Sequence, residues 1–278
     1  MFNYKRKSVL ASVCGLLVSP MVLLAVNCML KSEMPPANKQ KNVVLDYYFN
    51  NEWKKDATGK EYRWHYTWED TTFGGYSVLG EIFKKEGAQI TSLESKPTAA
   101  NLKEASIYII VDPDTEKETA RPNFMDEEAA VAIAAWVKQG GMLVMLTNDA
   151  GNAELKNFNK LATKFGIEFN ENSLNRVQND IFEQGAVLTP DGHEIFKSPK
   201  KLYVKEYSSL NVTSPARTVL KNGDNNLMAV AKYGKGTVFA LGDPWIYNEY
   251  VGGKKMPSDF LNYQGAEEWV KWLLKQTK

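Results

Sequence analysis

Four apolar runs in this chain stop at an acid. Val43-Val44-Leu45 leads to Asp46, Tyr108-Ile109-Ile110-Val111 to Asp112, Leu143-Val144-Met145-Leu146 to Asp149 three residues on, and Val238-Phe239-Ala240-Leu241-Gly242 to Asp243. Carboxyl groups brought together in this way can act as paired acids and bases or supply oxygen ligands to a hard cation. The segments Asp112-Pro113-Asp114-Thr115-Glu116 and Asn148-Asp149-Ala150-Gly151-Asn152 suit either role, and their residue types suit turns and helix caps equally well. Asp46, Glu69, Asp112, Asp149 and Asp243 are therefore the candidate catalytic carboxylates.

A second set of residues lies in the 26-residue stretch from Asp46 to Thr71. An ordinary strand-to-helix connection takes about two to six residues, so this stretch is an insertion expected to carry function or an interaction surface. Within it Tyr62, Trp64, Tyr66 and Trp68 alternate with Arg63, His65, Thr67 and Glu69, which in an extended chain puts four rings on one face. Such a face suits sugar rings, whose C–H sides stack while their hydroxyls find polar partners; it also suits packing over the sheet or against another protein. The candidate binding residues are Tyr47, Trp64, His65, Trp68, Asn148, Trp245, Asn248 and Glu249. His65 and His193 have no evident partner in the sequence. With two histidines and two cysteines in all, no metal site is expected, and no cofactor either.

The elements that must position these groups follow from the hydrophobic pattern. Short aliphatic and β-branched runs read as strands buried on both faces, and helical patterns between the first of them imply parallel crossovers, so the acids gather along one sheet edge. That edge is where open α/β sheets bind ligands. Strands are expected at 42–48, 89–93, 106–111 and 142–146, and helices at 76–86, after Thr98, from Asp126 to Lys138 and from an Asn152 cap to Phe165. From Ile167 onward short β segments at Val187, Tyr203, Leu210, Val219 and Met228 suggest a mixed or antiparallel extension of the sheet. The turn Tyr233-Gly234-Lys235-Gly236 closes a hairpin, and a last helix starts near Gln264.

The chain of 278 residues, 44% hydrophobic and 24% charged, is ordinary for a globular protein. Its 34 basic and 33 acidic residues leave no long-range field of one sign, which excludes nucleic acid as an expected partner. Lys5-Arg6-Lys7, an apolar stretch from Val9 to Val26 and a polar, Pro-containing segment from Lys31 to Lys41 follow the order of a secretory leader. Cleavage, lipid attachment at Cys28 and retention as a membrane anchor remain open, and in each case residues 1–41 are a leader or anchor with linker and residues 42–278 the folded domain. The protein is then exported, periplasmic or anchored on the periplasmic or outer face, and meets a membrane only through its N-terminal segment or a lipid. No Gly-x-Ser-x-Gly, phosphate-binding loop, His-Glu-x-x-His or dinucleotide fingerprint is present.

The segment Lys232-Tyr233-Gly234-Lys235-Gly236-Thr237-Val238-Phe239-Ala240-Leu241-Gly242-Asp243 resembles the closing hairpin of class I glutamine-amidotransferase-like domains, which are flavodoxin-like α/β sheets. Asp46-Tyr47-Tyr48-Phe49-Asn50-Asn51-Glu52, the run from Val111 to Glu118 and Asn170-Glu171-Asn172-Ser173-Leu174-Asn175-Arg176 are similar to the accessory domain that follows the catalytic domain in unsaturated rhamnogalacturonyl hydrolases of Bacteroides-type bacteria. The resemblance covers residues 42 to 276. It implies a mainly parallel flavodoxin-like sheet with a C-terminal antiparallel β extension, in an exported protein of pectin or rhamnogalacturonan breakdown. The amidotransferase nucleophile is missing from Leu146-Thr147-Asn148-Asp149-Ala150-Gly151, so glutaminase activity is not expected. The expected function is an accessory or carbohydrate-binding protein whose partner is an acidic oligosaccharide or a glycosidase. A carboxylate-dependent glycan hydrolase and a non-catalytic scaffold docking a partner glycosidase are the alternatives.

Overall fold

The computed structural model describes Met1 and residues 40–253 and 255–277. The leader from Lys5 to Val26 and the lipidation candidate Cys28 lie outside the described residues. No helix among the described residues is long and apolar enough to cross a membrane.

The strands that read as buried on both faces form the centre of the molecule. β1 (Asn42–Asp46), β4 (Gln89–Leu93), β5 (Ile107–Val111), β6 (Met142–Leu146) and β13 (Gly236–Leu241) pair in parallel in the order β4-β1-β5-β6-β13. β12 (Asn225–Tyr233) and β11 (Ala216–Asn222) continue the sheet antiparallel beyond β13, completing seven strands. Alternate residues feed two cores. Ile107, Ile109 and Val111 join Trp245 and Trp269 beneath α1 (Ser77–Lys85) and α5 (Asn262–Gln276), whereas Tyr108 and Ile110 join Phe158 and Trp136 beneath α2 (Glu127–Gln139) and α3 (Leu155–Ala162).

Helix boundaries follow local chemistry. Asp126 caps α2 by accepting from the Ala129 N–H at 2.9 Å, and Gly140 at φ 127° ends it. Glu154, rather than the expected Asn152, caps α3, its carboxylate accepting from the Asn157 N–H at 3.0 Å. Asn152 donates instead to Asp149 Oδ1 at 2.6 Å. The segment after Thr98 is a turn held by Asn101 and not a helix. The last helix begins at Asn262, whose side chain ties Tyr203 and Trp245 to it.

The β extension is smaller than expected. β7 (Ile167–Phe169) pairs only with β10 (Leu210–Val212), and β8 (Ala186–Leu188) only with β9 (Lys201–Tyr203), so these four make two separate ribbons. Contacts near β10 return to the central sheet: Ser208 donates its N–H to the Gly242 carbonyl at 2.9 Å, and the Asn226 amide of β12 donates to the Leu210 carbonyl at 3.0 Å. A Cβ on Gly242 would stand 2.0 Å from the Ser208 carbonyl oxygen, so glycine is required just before Asp243.

The insertion after β1 folds into the hairpin β2 (Trp53–Lys55) and β3 (Glu61–Arg63), with Trp53 opposite Arg63. Extended structure stops there. His65 and Tyr66 adopt φ of 66° and 46°, which breaks the two-residue alternation on which a four-ring face depends. Tyr62 remains exposed, Trp64 is half-buried, and Tyr66 and Trp68 enter the core. The expected aromatic face therefore does not form.

Chain direction places the acids as expected, on the carboxyl edge of the parallel strands, but one side chain turns away. Asp46 is fully buried on the side of Val44 and Tyr108. Its Oδ1 accepts from the Phe49 N–H at 2.7 Å and its Oδ2 from the Tyr108 hydroxyl at 2.6 Å. Burial outweighs these bonds and raises its carboxyl from 3.8 to about 6. In the interval between those values the folded state holds a proton that the unfolded state has released, so stability falls as pH rises from about 4 to 6 and is level in this group above that. The expected effect is about 3 kcal/mol. Asp46→Asn keeps the Phe49 contact and can donate to the Tyr108 oxygen. Urea unfolding across this range should show the variant gaining on the unsubstituted protein up to pH 6; parallel curves would contradict the assignment.

Candidate functional site

The strand order reverses between β1, whose chain continues outward to β4, and β5 on its other side, so the connections leave the carboxyl ends of β1 and β5 in opposite directions. The insertion hairpin and Asp112 meet at these ends. Asp112 donates its N–H to the Leu146 carbonyl at 2.8 Å, which keeps its backbone on the sheet, while a φ of 43° redirects its side chain. The side chain is 1% exposed and Oδ1 has no hydrogen-bond partner. Burial pushes this carboxyl well above the usual range, the charges of Glu118, Glu52 and Asp114 push it further, and a hydrogen bond from Asn148 opposes them.

Two neighbours share that environment. Asp114 Oδ2 accepts from the Asn51 N–H at 2.9 Å and the Thr119 hydroxyl at 2.6 Å, yet Oδ1 is unpartnered. Burial raises its carboxyl to about 7. Glu118 accepts from the Thr115 N–H and hydroxyl, and burial raises it too.

His65 has a partner after all. Its Nδ1 lies 2.7 Å from Glu52 Oε1, and its ring is stacked between Trp64 and Tyr66 with centroids 4.4 and 3.8 Å away. A Cβ on Gly74 would stand 2.6 Å from His65 Cδ2, so glycine leaves the space that the imidazole occupies. Glu52, His65 and Asp112 each bring one ligand-type atom to within 4.8 Å of the others. Sequence reasoning overlooked Glu52. The signal was available: Asp56 and Gly59 mark a turn, and a hairpin closing there sets residue 52 against residue 64, as the Trp64 N–H to Glu52 carbonyl bond of 3.1 Å reflects.

The other candidate acids contribute unequally. Asp243 is 3% exposed with Oδ1 unpartnered; burial raises it well above the usual range, with Asp149 and Glu206 adding to the shift and the Trp245 N–H and Lys205 opposing it. Tyr66 and Tyr76 lie in the field of both Asp112 and Asp243. Asp149 is buried and engaged with Asn152. Glu69 is exposed and accepts the Tyr47 hydroxyl at 2.6 Å. Convergence of Asp46, Asp112, Asp149 and Asp243 on one open cleft is therefore corrected, because Asp46 points into the opposite layer and the rest are covered.

The candidate binding residues also separate. Trp245 has no exposed surface and packs edge-on to Phe196 and Trp269, so it presents no face to a ligand. Asn248 is a buried clamp that accepts from the Val78 N–H and donates to Asp70, Thr72 and Ser77, while Glu249 pairs with Lys255. His193 accepts from the Ile195 N–H and bonds the Val219 carbonyl, a structural role. Tyr47 and Glu69 border a cleft of about 440 Å³ that Trp53, Tyr62, Arg63 and Glu94 also line. Trp53 and Tyr62 are 53% and 42% exposed, and neither Trp53 nor Arg63 had been singled out for binding.

No protein-family model matches the chain, and no curated protein matches it. Solved structures similar to it include the mmIFT52 N-terminal domain, with a TM-score of 0.61 and 17% identity over 84% of this chain and 97% of that one. Cytoplasmic Protein STM1381 from Salmonella typhimurium LT2 gives 0.53 and 15%, covering 86% of this chain and 100% of that one. A beta-galactosidase from Rahnella sp. R3 gives 0.51 and 16%, with 85% of this chain spanning 31% of the enzyme. At these identities the likeness is one of fold, a mixed α/β arrangement with a mostly parallel central sheet.

The position of Trp68 has a measurable consequence. Its indole is 7% exposed, packs on Phe83 and Tyr76, and donates to the Thr91 carbonyl at 2.9 Å. Trp68→Ala should cost about 3–5 kcal/mol in urea unfolding, as buried aromatic truncations do. A change below 1 kcal/mol, roughly the scale of an exposed site, would place the ring outside the core.

Proposed function

We propose that this chain is an exported, non-catalytic accessory protein of polysaccharide breakdown that binds glycan through the cleft beside its insertion hairpin. The observation that carries this reading is the pair of exposed rings, Trp53 and Tyr62, bordering a cleft of about 440 Å³ with Arg63, Glu69, Thr72 and Glu94. Exposed indole and phenol faces offer stacking area for sugar C–H surfaces, and the polar groups between them offer partners for hydroxyls. The strand order β4-β1-β5-β6-β13 supports a flavodoxin-like sheet of the class I amidotransferase-like kind, and the cleft lies at the carboxyl ends of β1 and β4, where Tyr47, Ser92 and Glu94 line it. Export rests on the basic, apolar and polar segments that precede residue 42.

The cleft also narrows the ligand. Glu69, Asp70 and Glu94 line it against the single guanidinium of Arg63. Carboxylates accept hydrogen bonds from neutral hydroxyls and repel a uronate, so an acidic sugar residue is favoured only where it meets Arg63. Arg63 is fixed in place, donating to the Tyr47 carbonyl and Asn51 Oδ1 at 2.9 Å, stacking over Tyr47 and Trp53 and pairing with Glu94 at 3.7 Å, so a uronate there would compete with Glu94. Hydrolysis is the weaker reading. Glycosidase carboxyls flank an accessible bond at about 5–9.5 Å separation, whereas Asp112 and Asp243 are 1% and 3% exposed.

Calorimetric titration with neutral and with rhamnogalacturonan-derived oligosaccharides tests this proposal. Trp53→Ala and Tyr62→Ala should each weaken binding about five- to tenfold, the worth of one stacking ring, and leave the melting temperature within about 2 °C. Absence of heat with every oligosaccharide, or unchanged affinity in both variants, would overturn the reading and favour docking of a partner glycosidase.

A further inference from the structure

We propose that Glu52, His65 and Asp112 bind a divalent first-row transition-metal ion, which pins the insertion hairpin to the carboxyl end of the sheet. Two observations point to a ligand here. The three side chains each offer a ligand atom, and these atoms lie within 4.8 Å of one another. Around an ion at about 2.1 Å, neighbouring donors stand about 3 Å apart and opposite donors about 4 Å, so a closure of no more than about 1 Å brings the three into one coordination sphere. Independently, Asp112 Oδ1 is an acceptor on a 99% buried side chain with no hydrogen-bond partner. A native interior rarely leaves such an atom unmet, and a cation would satisfy it.

Charge and preorganisation agree with that assignment. Asp114 and Glu118 adjoin the three, and Asp114 Oδ1 is a second buried acceptor without a partner. Four carboxyl groups thus meet one imidazole, an oxygen-rich surrounding that suits a dication. Stacking by Trp64 and Tyr66 and the space left at Gly74 hold the imidazole in one plane before any ion arrives. His65 Nδ1 and Glu52 Oε1, 2.7 Å apart, need to open by only a few tenths of an ångström to become adjacent ligands. The ion would take the place of the hydrogen bond between them, the neutral imidazole coordinating through Nδ1 with its proton on Nε2.

The donor set selects the ion. One imidazole nitrogen with carboxylate oxygens suits Zn²⁺, Mn²⁺, Fe²⁺ or Co²⁺, whereas Ca²⁺ and Mg²⁺ favour oxygen-only shells. Glu52 and His65 flank β2 and β3, which carry Trp53 and Tyr62, while Asp112 belongs to the sheet, so an ion joining them would stiffen the hairpin on its base. This site stands apart from the glycan reading, because its test involves no sugar.

The test is calorimetric titration of the full chain, stripped with a chelator and dialysed, with ZnCl₂ and MnCl₂, and with MgCl₂ as the control. One equivalent of Zn²⁺ or Mn²⁺ should bind, and the melting temperature should rise by about 5–10 °C at a hundredfold excess over Kd. Asp112→Asn and His65→Ala should weaken binding at least about a hundredfold. Should either variant fail to fold, the unsubstituted chain loaded with Co²⁺ should show visible d–d bands that Zn²⁺ abolishes. No stoichiometric binding, equal response to Mg²⁺, unaltered affinity in folded variants, or a Co²⁺ spectrum no different from the aqueous ion would each overturn the proposal.

Discussion

The pairing of β1 with β5 is the constraint on which the rest of the molecule depends. Val43, Val44 and Leu45 lie in register with Ile107, Tyr108 and Ile109, and because β4 pairs with the other edge of β1, chain connections leave the two strands in opposite directions. The insertion after Asp46 starts at the carboxyl edge of the sheet, and its hairpin brings Glu52 and His65 close to Asp112. The same ladder sets alternate residues of β5 into the two cores, so displacement of this pair would disturb both hydrophobic layers as well as the Glu52–His65–Asp112 cluster.

The carboxyl edge shows how one residue type serves opposite ends. Asp46 is buried and saturated: two backbone N–H groups and the Tyr108 hydroxyl hold it as a structural brace for the turn that starts the insertion. Asp112 is buried and unsaturated, as are Asp114 and Asp243 at one oxygen each. Because an unmet acceptor in a low-dielectric interior is costly, the contrast separates groups that finish the fold from groups left with capacity for something else. Candidate function therefore concentrates on Asp112 and its neighbours more than on the acids that lead into turns and caps.

A conformational detail of two residues governs the insertion. His65 and Tyr66, at positive φ, reverse the chain just past β3, and this sends Tyr66 and Trp68 inward against Tyr76 and Phe83 while Trp53 and Tyr62 stay outside. Aromatic content is thus divided between anchoring and display. Tyr47 joins the two parts, its hydroxyl donating to the exposed Glu69 and accepting from the Trp68 N–H.

The local pattern was sufficient for the sheet. Runs such as Ile107–Val111 and Met142–Leu146 are apolar at every position, which only a strand covered on both faces requires, and parallel connection then places the residues that follow them on one edge. The seat of the candidate site was legible for the same reason, and so was Asp112 within it. Side-chain direction at the ends of those strands was not. It turns on single φ values at Asp112, His65 and Tyr66, and on a hairpin that joins Glu52 to His65 across 13 positions, none of which a two-residue or 3.6-residue period encodes. Burial of Trp68 and Trp245, the inward turn of Asp46 and the exposure of Trp53 were decided by which layers happened to cover them. Periodicity reports how a segment faces its own core, whereas a site is made by segments distant in sequence, and only the packed chain brings those together.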